Sequence, residues 1–304
     1  MTSLPSVPPF AAPDVLVLAG GGVLGEAWMT GVLAGIEDAA GLDLRRTEAF
    51  VGTSAGSIVA ARLASGRSPR RPSEGAPAAA PSGPADPGDN GNRGDGAGPR
   101  VRGALRTAGA FAWATTAPAA SAALGLGAPG GALVRAAALA RVPAGTRSLA
   151  DLGARVAEWG PRFDGRLRVC AVDRRTGRRV VFGAPGAPAA EVPEAVVASC
   201  SIPWIFEPVT IGGREYVDGG VWSVTNLDAA PAGRGTHVLC LDVLSGLEPG
   251  SRRFRAVRGA FRVAAELETQ TLRRRGAHVL RVGPDRATAE ALGANLMDPG
   301  PRRA

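Results

Sequence analysis

Residues 14–25 read DVLVLAGGGVLG and residues 48–56 read EAFVGTSAG, and the two stretches together decide the architecture. In the first, an apolar run over residues 14–19 ends in Gly20, Gly21 and Gly22, the pattern of a strand buried on both faces. Residues 26–40 follow with Trp28, Val32, Leu33 and Ile36 at helical spacing. The second stretch repeats the plan: a strand over residues 48–51, a turn over 52–56, and a helix over 57–64. Strand, glycine turn and helix twice in succession predict an α/β fold with a parallel sheet and helices on its faces.

Further along, the pattern changes and then resumes. Residues 66–100 consist of Pro, Gly, Ala, Ser, Asp and Arg without apolar periodicity, so they are expected to form a disordered insertion. Helices are expected around residues 101–116, 132–141 and 149–159, the last after a Ser148 cap. Alternating residues 166–172 and 178–182 flank a polar turn and predict a hairpin. A helix over residues 192–200 carries Pro193 in its first turn. A tighter hairpin, 209–211 with 215–217, delivers Asp218, Gly219 and Gly220. Strands over residues 236–243 and 277–282 bracket an arginine-rich helix over 252–275, and a last helix is expected over 288–297. The organisation is therefore one α/β domain, residues 14–300, after a flexible segment over residues 1–13.

Composition bounds the function. The chain has 304 residues, 45% of them hydrophobic, enough for one large core. Its net charge is +8, yet no Lys occurs, and the Arg, Gly, Pro and Ala excess matches the codon usage of a GC-rich genome. Scattered aromatics and no recognised module argue against nucleic-acid binding, whereas the charge permits weak attraction to an anionic membrane surface. Residues 1–13 lack a positive n-region and contain several prolines, which does not read as a secretory signal, and no run predicts a membrane span. A cytoplasmic protein is the expectation. Cys170, Cys200 and Cys240 are too few and too far apart for a disulfide framework or a metal site, so they read as buried thiols.

Chemistry concentrates at three places. Gly52-Thr53-Ser54-Ala55-Gly56 is G-x-S-x-G between strand and helix, where a tight turn lifts a serine hydroxyl above the sheet edge at a helix N-terminus. Its bland alternative is a glycine-rich connection with an ordinary capping serine. Residues 20–25 fit G-x-G-x-x-G, but a dinucleotide site needs an acidic residue near the end of the second strand, and the Ser54 turn occupies that place. An oxyanion hole made of Gly20, Gly21, Gly22 and Gly25 is the better reading, because both turns close adjacent parallel strands and face one crevice. A base is also required. His237 and His278, the chain's two histidines, stand where strands begin, opposite the edge where Ser54 emerges, so they read as structural. Asp218, leaving a strand into Gly219-Gly220, is the better candidate, its alternative being a plain Asp-Gly turn residue.

In that order, G-x-G-x-x-G at residues 20–25, G-x-S-x-G at 52–56 and D-G-G at 218–220, the chain resembles the patatin-like phospholipases, or lipid acyl hydrolases. The stretch Ala198-Ser199-Cys200-Ser201-Ile202-Pro203, then Phe206-Glu207-Pro208-Val209, and Asn226 after D-G-G, fit the family as well. The resemblance implies a three-layer α/β/α sandwich with a mainly parallel central sheet. It also implies a Ser54–Asp218 dyad that hydrolyses lipid esters, phospholipid or acylglycerol, through an acyl-enzyme, with no metal or organic cofactor. The second reading is a catalytically weak lipid-binding or regulatory protein of the same fold. One position departs: the glycine loop carries Leu24 where the family commonly has Arg or Lys.

Overall fold

The computed structural model describes residues 12–69, 129–246, 252–293 and 295–298. Most of the expected insertion, the helix expected over 101–116 and the first eleven residues lie outside the described residues. The strands are β1 (Val15–Leu18), β2 (Ala49–Thr53), β3 (Leu167–Asp173), β4 (Arg179–Phe182), β5 (Val209–Ile211), β6 (Arg214–Asp218), β7 (His237–Leu241) and β8 (His278–Val282). The helices are α1 (Gly22–Ala40), α2 (Ala55–Ala64), α3 (Pro129–Arg141), α4 (Ala150–Ala157), α5 (Val192–Cys200), α6 (Arg252–Arg274) and α7 (Arg286–Leu292).

Five strands, β3–β2–β1–β7–β8, run parallel, and β4, β5 and β6 form an antiparallel end. Alternation along each strand divides the core in two. Leu16, Leu18, Phe50, Leu167 and Leu239 pack with Met29 and Leu33 of α1, Ile58 and Leu63 of α2, and Val196 of α5. On the opposite face Val15, Val17, Val51, Cys170 and Cys240 pack with Leu227, Ala229 and, from α6, Leu272. Helices therefore cover both faces, which makes the chain an α/β/α sandwich with a mostly parallel sheet.

The feature that positions the site is the crowding along β3. β4 pairs with Val169, Cys170, Ala171 and Val172, and so takes one edge of β3 along its middle. On the other edge β2 runs parallel up to the Thr53–Cys170 pair, and β6 runs antiparallel from the Asp218–Ala171 pair onward. β2 and β6 thus meet head-on, and their C-terminal ends abut at consecutive residues of β3.

Three expected boundaries move. α1 starts at Gly22 and not at residue 26, and α2 starts at Ala55 and not at residue 57. Both helices begin inside glycine turns, because close neighbours leave no room for side chains there and the turns tighten directly into helix. The last helix is shorter than expected and ends at Leu292, where Gly293 turns out of helical conformation with φ 67°. Val192–Cys200, by contrast, matches the expected span, with Glu191 and Glu194 forming a reciprocal capping box around Pro193.

Candidate active site

Ser54 holds a backbone conformation that few L-residues adopt, φ 50° and ψ −123°. Such geometry costs on the order of 1–3 kcal/mol and persists only when the surroundings enforce it. Here the enforcement is visible. A Cβ on Gly52 would lie 2.4 Å from the Ser57 Cα, and one on Gly56 would lie 1.9 Å from the Leu18 carbonyl oxygen. Both glycines of G-x-S-x-G are therefore demanded by packing of α2 against β1 and β2. The Ser54 N–H donates to Ser199 Oγ (2.8 Å), whose hydroxyl donates in turn to the Cys170 carbonyl (2.6 Å). The Ser54 carbonyl accepts the Ser57 N–H (2.8 Å) and the Ser57 hydroxyl (2.6 Å). Both backbone polar groups of Ser54 are thus tied down, and its side chain stays half-buried at the sheet edge.

Asp218 arrives from the opposite direction. Its N–H donates to the Ser201 carbonyl (3.0 Å), and its Oδ1 accepts the Gly220 N–H (2.7 Å). A Cβ on Gly219 would lie 2.2 Å from the Cys170 carbonyl oxygen, so the turn needs glycine where it crosses β3. Asp218 is only 5% exposed. Burial is the largest influence on its carboxyl and pushes the pKa up to about 7, while hydrogen bonds from the Gly220 N–H and the Ser54 side chain pull it partly back. The Ser54 side chain therefore stands close enough to the Asp218 carboxyl to lower its pKa, and the carboxyl is poised near neutrality. Cys200 is also beside them, and burial raises its thiol well above its ordinary value, with the Asp218 charge adding to the rise, so it stays protonated.

The glycine loop closes the third side. A Cβ on Gly20 would be 3.5 Å from the Ser54 Cβ, which brings the loop against the serine. Of its N–H groups, that of Gly20 is donated to the Val224 carbonyl (2.9 Å) and that of Gly25 to the Gly21 carbonyl (2.9 Å). The expectation that Gly20 and Gly25 supply oxyanion donors is therefore corrected: a donated N–H has no hydrogen left for a ligand. Gly21 and Gly22 remain, at the first positions of α1, where a helix has no internal acceptor for its N–H groups. Leu24 is fully buried in an apolar cluster with Val243, Ala289 and Leu292, and its N–H donates to the Leu296 carbonyl (3.0 Å). A cationic side chain in that cluster would lose its hydration, which accounts for leucine there.

Asn226 binds the pieces together. Its amide donates to Thr53 Oγ1 (3.0 Å) and the Gly219 carbonyl (3.3 Å), and its Oδ1 accepts from Arg179 (3.2 Å). Arg179 also makes a bidentate pair with Asp228 at 2.6 and 2.9 Å. Burial alone would lower the Arg179 pKa, but the bonds and charge of Asp228 override it and hold the guanidinium protonated. Arg179 and Asp228 carry no motif signal of their own, and Ser199, though it lies in the stretch over residues 198–203 that fits the family, shows its bond to the Ser54 N–H only in the fold. The histidines lie elsewhere. His237 and His278 are paired across β7 and β8 with rings stacked at 5.0 Å, and the His237 N–H donates to Asp14 (2.7 Å), at the start of β1. Ser54 follows the end of β2, so both histidines stand at the opposite edge of the sheet.

The order of these parts matches one family model, Patatin-like phospholipase, over residues 16–231. The chain belongs to the patatin-like phospholipase family. No curated protein matches it. The patatin-like match runs from within β1 through the Asn226 turn and ends before β7, so β7, α6, β8 and α7 lie beyond the matched region. Among the described residues no group of three or more His, Cys, Asp or Glu is arranged to hold a metal ion, and no helix is long and apolar enough to cross a membrane.

Proposed function

We propose that the protein is a serine hydrolase of lipid esters, with Ser54 as nucleophile and Asp218 as its base. The observation that carries this reading is the buried Asp218 carboxyl, raised to about 7 and set beside the serine of a strained turn. A base with a pKa near the working pH combines a usable ionised fraction with real proton affinity. The Ser54 oxygen attacks the ester carbonyl carbon while its proton passes to Asp218. The carbonyl oxygen becomes an oxyanion and accepts hydrogen bonds from the Gly21 and Gly22 N–H groups, aided by the N-terminal dipole of α1. The carbon–oxygen bond to the alcohol then breaks, and the departing alkoxide takes the proton from Asp218. Water next gives a proton to Asp218 and attacks the acyl carbon. Ser54 leaves and recovers that proton, which returns both residues to their starting state.

The substrate in this reading is a phospholipid or acylglycerol ester. Transient contact with a lipid surface belongs to the same proposal, supported by the net charge of +8. The test is labelling by a fluorophosphonate together with hydrolysis of p-nitrophenyl esters of graded chain length. Ser54→Ala abolishes labelling, and Ser54→Ala, Asp218→Asn and the double variant lose hydrolysis to the same floor, because members of one catalytic unit are not additive. Retention of more than a few per cent of activity by Asp218→Asn refutes the dyad.

A further inference from the structure

We infer that Glu268, on α6, is a positioning residue for the Ser54–Asp218 pair, acting through the turn that carries Asn226; the inference rests on the dyad proposed above. Asn226 sits at the head-on junction of β2 and β6 and joins Thr53, next to Ser54, to Gly219, next to Asp218. It is fully buried and held in left-handed conformation, φ 47°, which a non-glycine residue keeps only under restraint. Glu268 supplies that restraint from both flanks at once. One carboxylate oxygen, Oε2, accepts the hydroxyl of Thr225 and the N–H of Leu227 (2.8 Å), the residues on either side of Asn226.

Glu268 is 1% exposed, and its other oxygen, Oε1, is buried without a hydrogen-bond partner. A carboxylate so placed is costly, and burial, then the nearby Asp228 charge, pushes its pKa up. Packing of α6 gives no reason for it: Leu272 and Ala265 of the same helix are already buried, and an apolar residue at 268 would serve that purpose better. What the carboxylate does is satisfy two buried donors that flank the strained residue. Remove it, and the Thr225 hydroxyl and Leu227 N–H lose their acceptor, so the turn gains by relaxing toward water. Asn226 then withdraws its amide from Thr53 and Gly219, and the two strand ends lose the side chain that joins them. Glu268 lies beyond residue 231, where the family match ends, so a helix outside the matched region reaches back into the site.

The experiment uses the full chain and measures the rate of fluorophosphonate labelling, kcat and KM on one p-nitrophenyl ester, and the thermal melt. Glu268→Leu, close in volume, is expected to melt cooperatively yet to lose about tenfold or more in labelling rate and kcat, with KM within about twofold. Glu268→Gln keeps an acceptor oxygen for both donors and is expected to recover to within about threefold of the parent. Thr225→Val removes one of the two donors and is expected to fall between them. A folded Glu268→Leu protein labelled at the parental rate overturns the inference, as does Glu268→Gln that is as slow as Glu268→Leu. Should Glu268→Leu fail to fold, Thr225→Val decides, a several-fold loss supporting the inference and a parental rate refuting it. A parent that is not labelled at Ser54 refutes the dyad itself, and the inference with it.

Discussion

Asp218→Asn should cost the protein its activity and raise its stability, and the pH dependence of that gain reads out the environment of the carboxyl. In the folded protein the Asp218 pKa is raised from 3.8 to about 7, chiefly by burial. Folding therefore favours its protonated form. That preference is harmless below pH 4, where the unfolded chain is protonated too, and becomes a growing penalty as pH rises to 7, because the unfolded chain ionises first. At about 1.4 kcal/mol per pH unit, the rise corresponds to roughly 4 kcal/mol at pH 8, and to about 2–4 kcal/mol once relaxation around the charge is allowed for. Asparagine has no charge to bury. Its carbonyl can still accept the Gly220 N–H, and its amide can donate to Ser54, so both contacts of the carboxyl have replacements. Urea unfolding of parent and variant at pH 4, 6 and 8 measures the difference. The two curves should nearly coincide at pH 4 and separate progressively in favour of the variant up to pH 8. A variant no more stable than the parent at pH 8, or a gap that does not widen with pH, would show that Asp218 is not a buried carboxyl of raised pKa.

Replacing His237 and His278 together with Gln should leave the turnover rate within about threefold of the parent, since both stand at the far edge of the sheet; a thousandfold loss in a folded protein would make one of them the base. Gly56→Ala must force β1 and α2 apart, because its Cβ would lie 1.9 Å from the Leu18 carbonyl oxygen. A loss of at least about 3 kcal/mol in urea unfolding is expected, and a parental midpoint contradicts that packing. Ser199→Ala leaves the Ser54 N–H without its acceptor and should lower stability by about 1–3 kcal/mol and ester hydrolysis by about tenfold, checked by parallel melts and initial rates.

Much of the site is legible in the chain itself, because local rules govern it. Ser54 stands in a turn whose glycines at 52 and 56 announce contacts that tolerate no side chain, and hydrophobic runs on either side mark the strand and helix it joins. Asp218 is visible for the same reason, as a carboxylate released from a strand into Gly219-Gly220. The histidines' distance from the site also follows from where their strands start. What tertiary structure alone decided are pairings between residues remote in sequence. Nothing local says that β6 meets β2 head-on along one edge of β3, and that meeting is what brings Asp218 to Ser54. The proposed oxyanion donors depend on the fold in the same way, since the Gly20 N–H is spent on Val224, more than two hundred residues away. Arg179 and Glu268 escape sequence reading because a side chain that satisfies a buried donor or acceptor bears no periodicity and no motif. Its role is defined by the partner that the fold sets beside it.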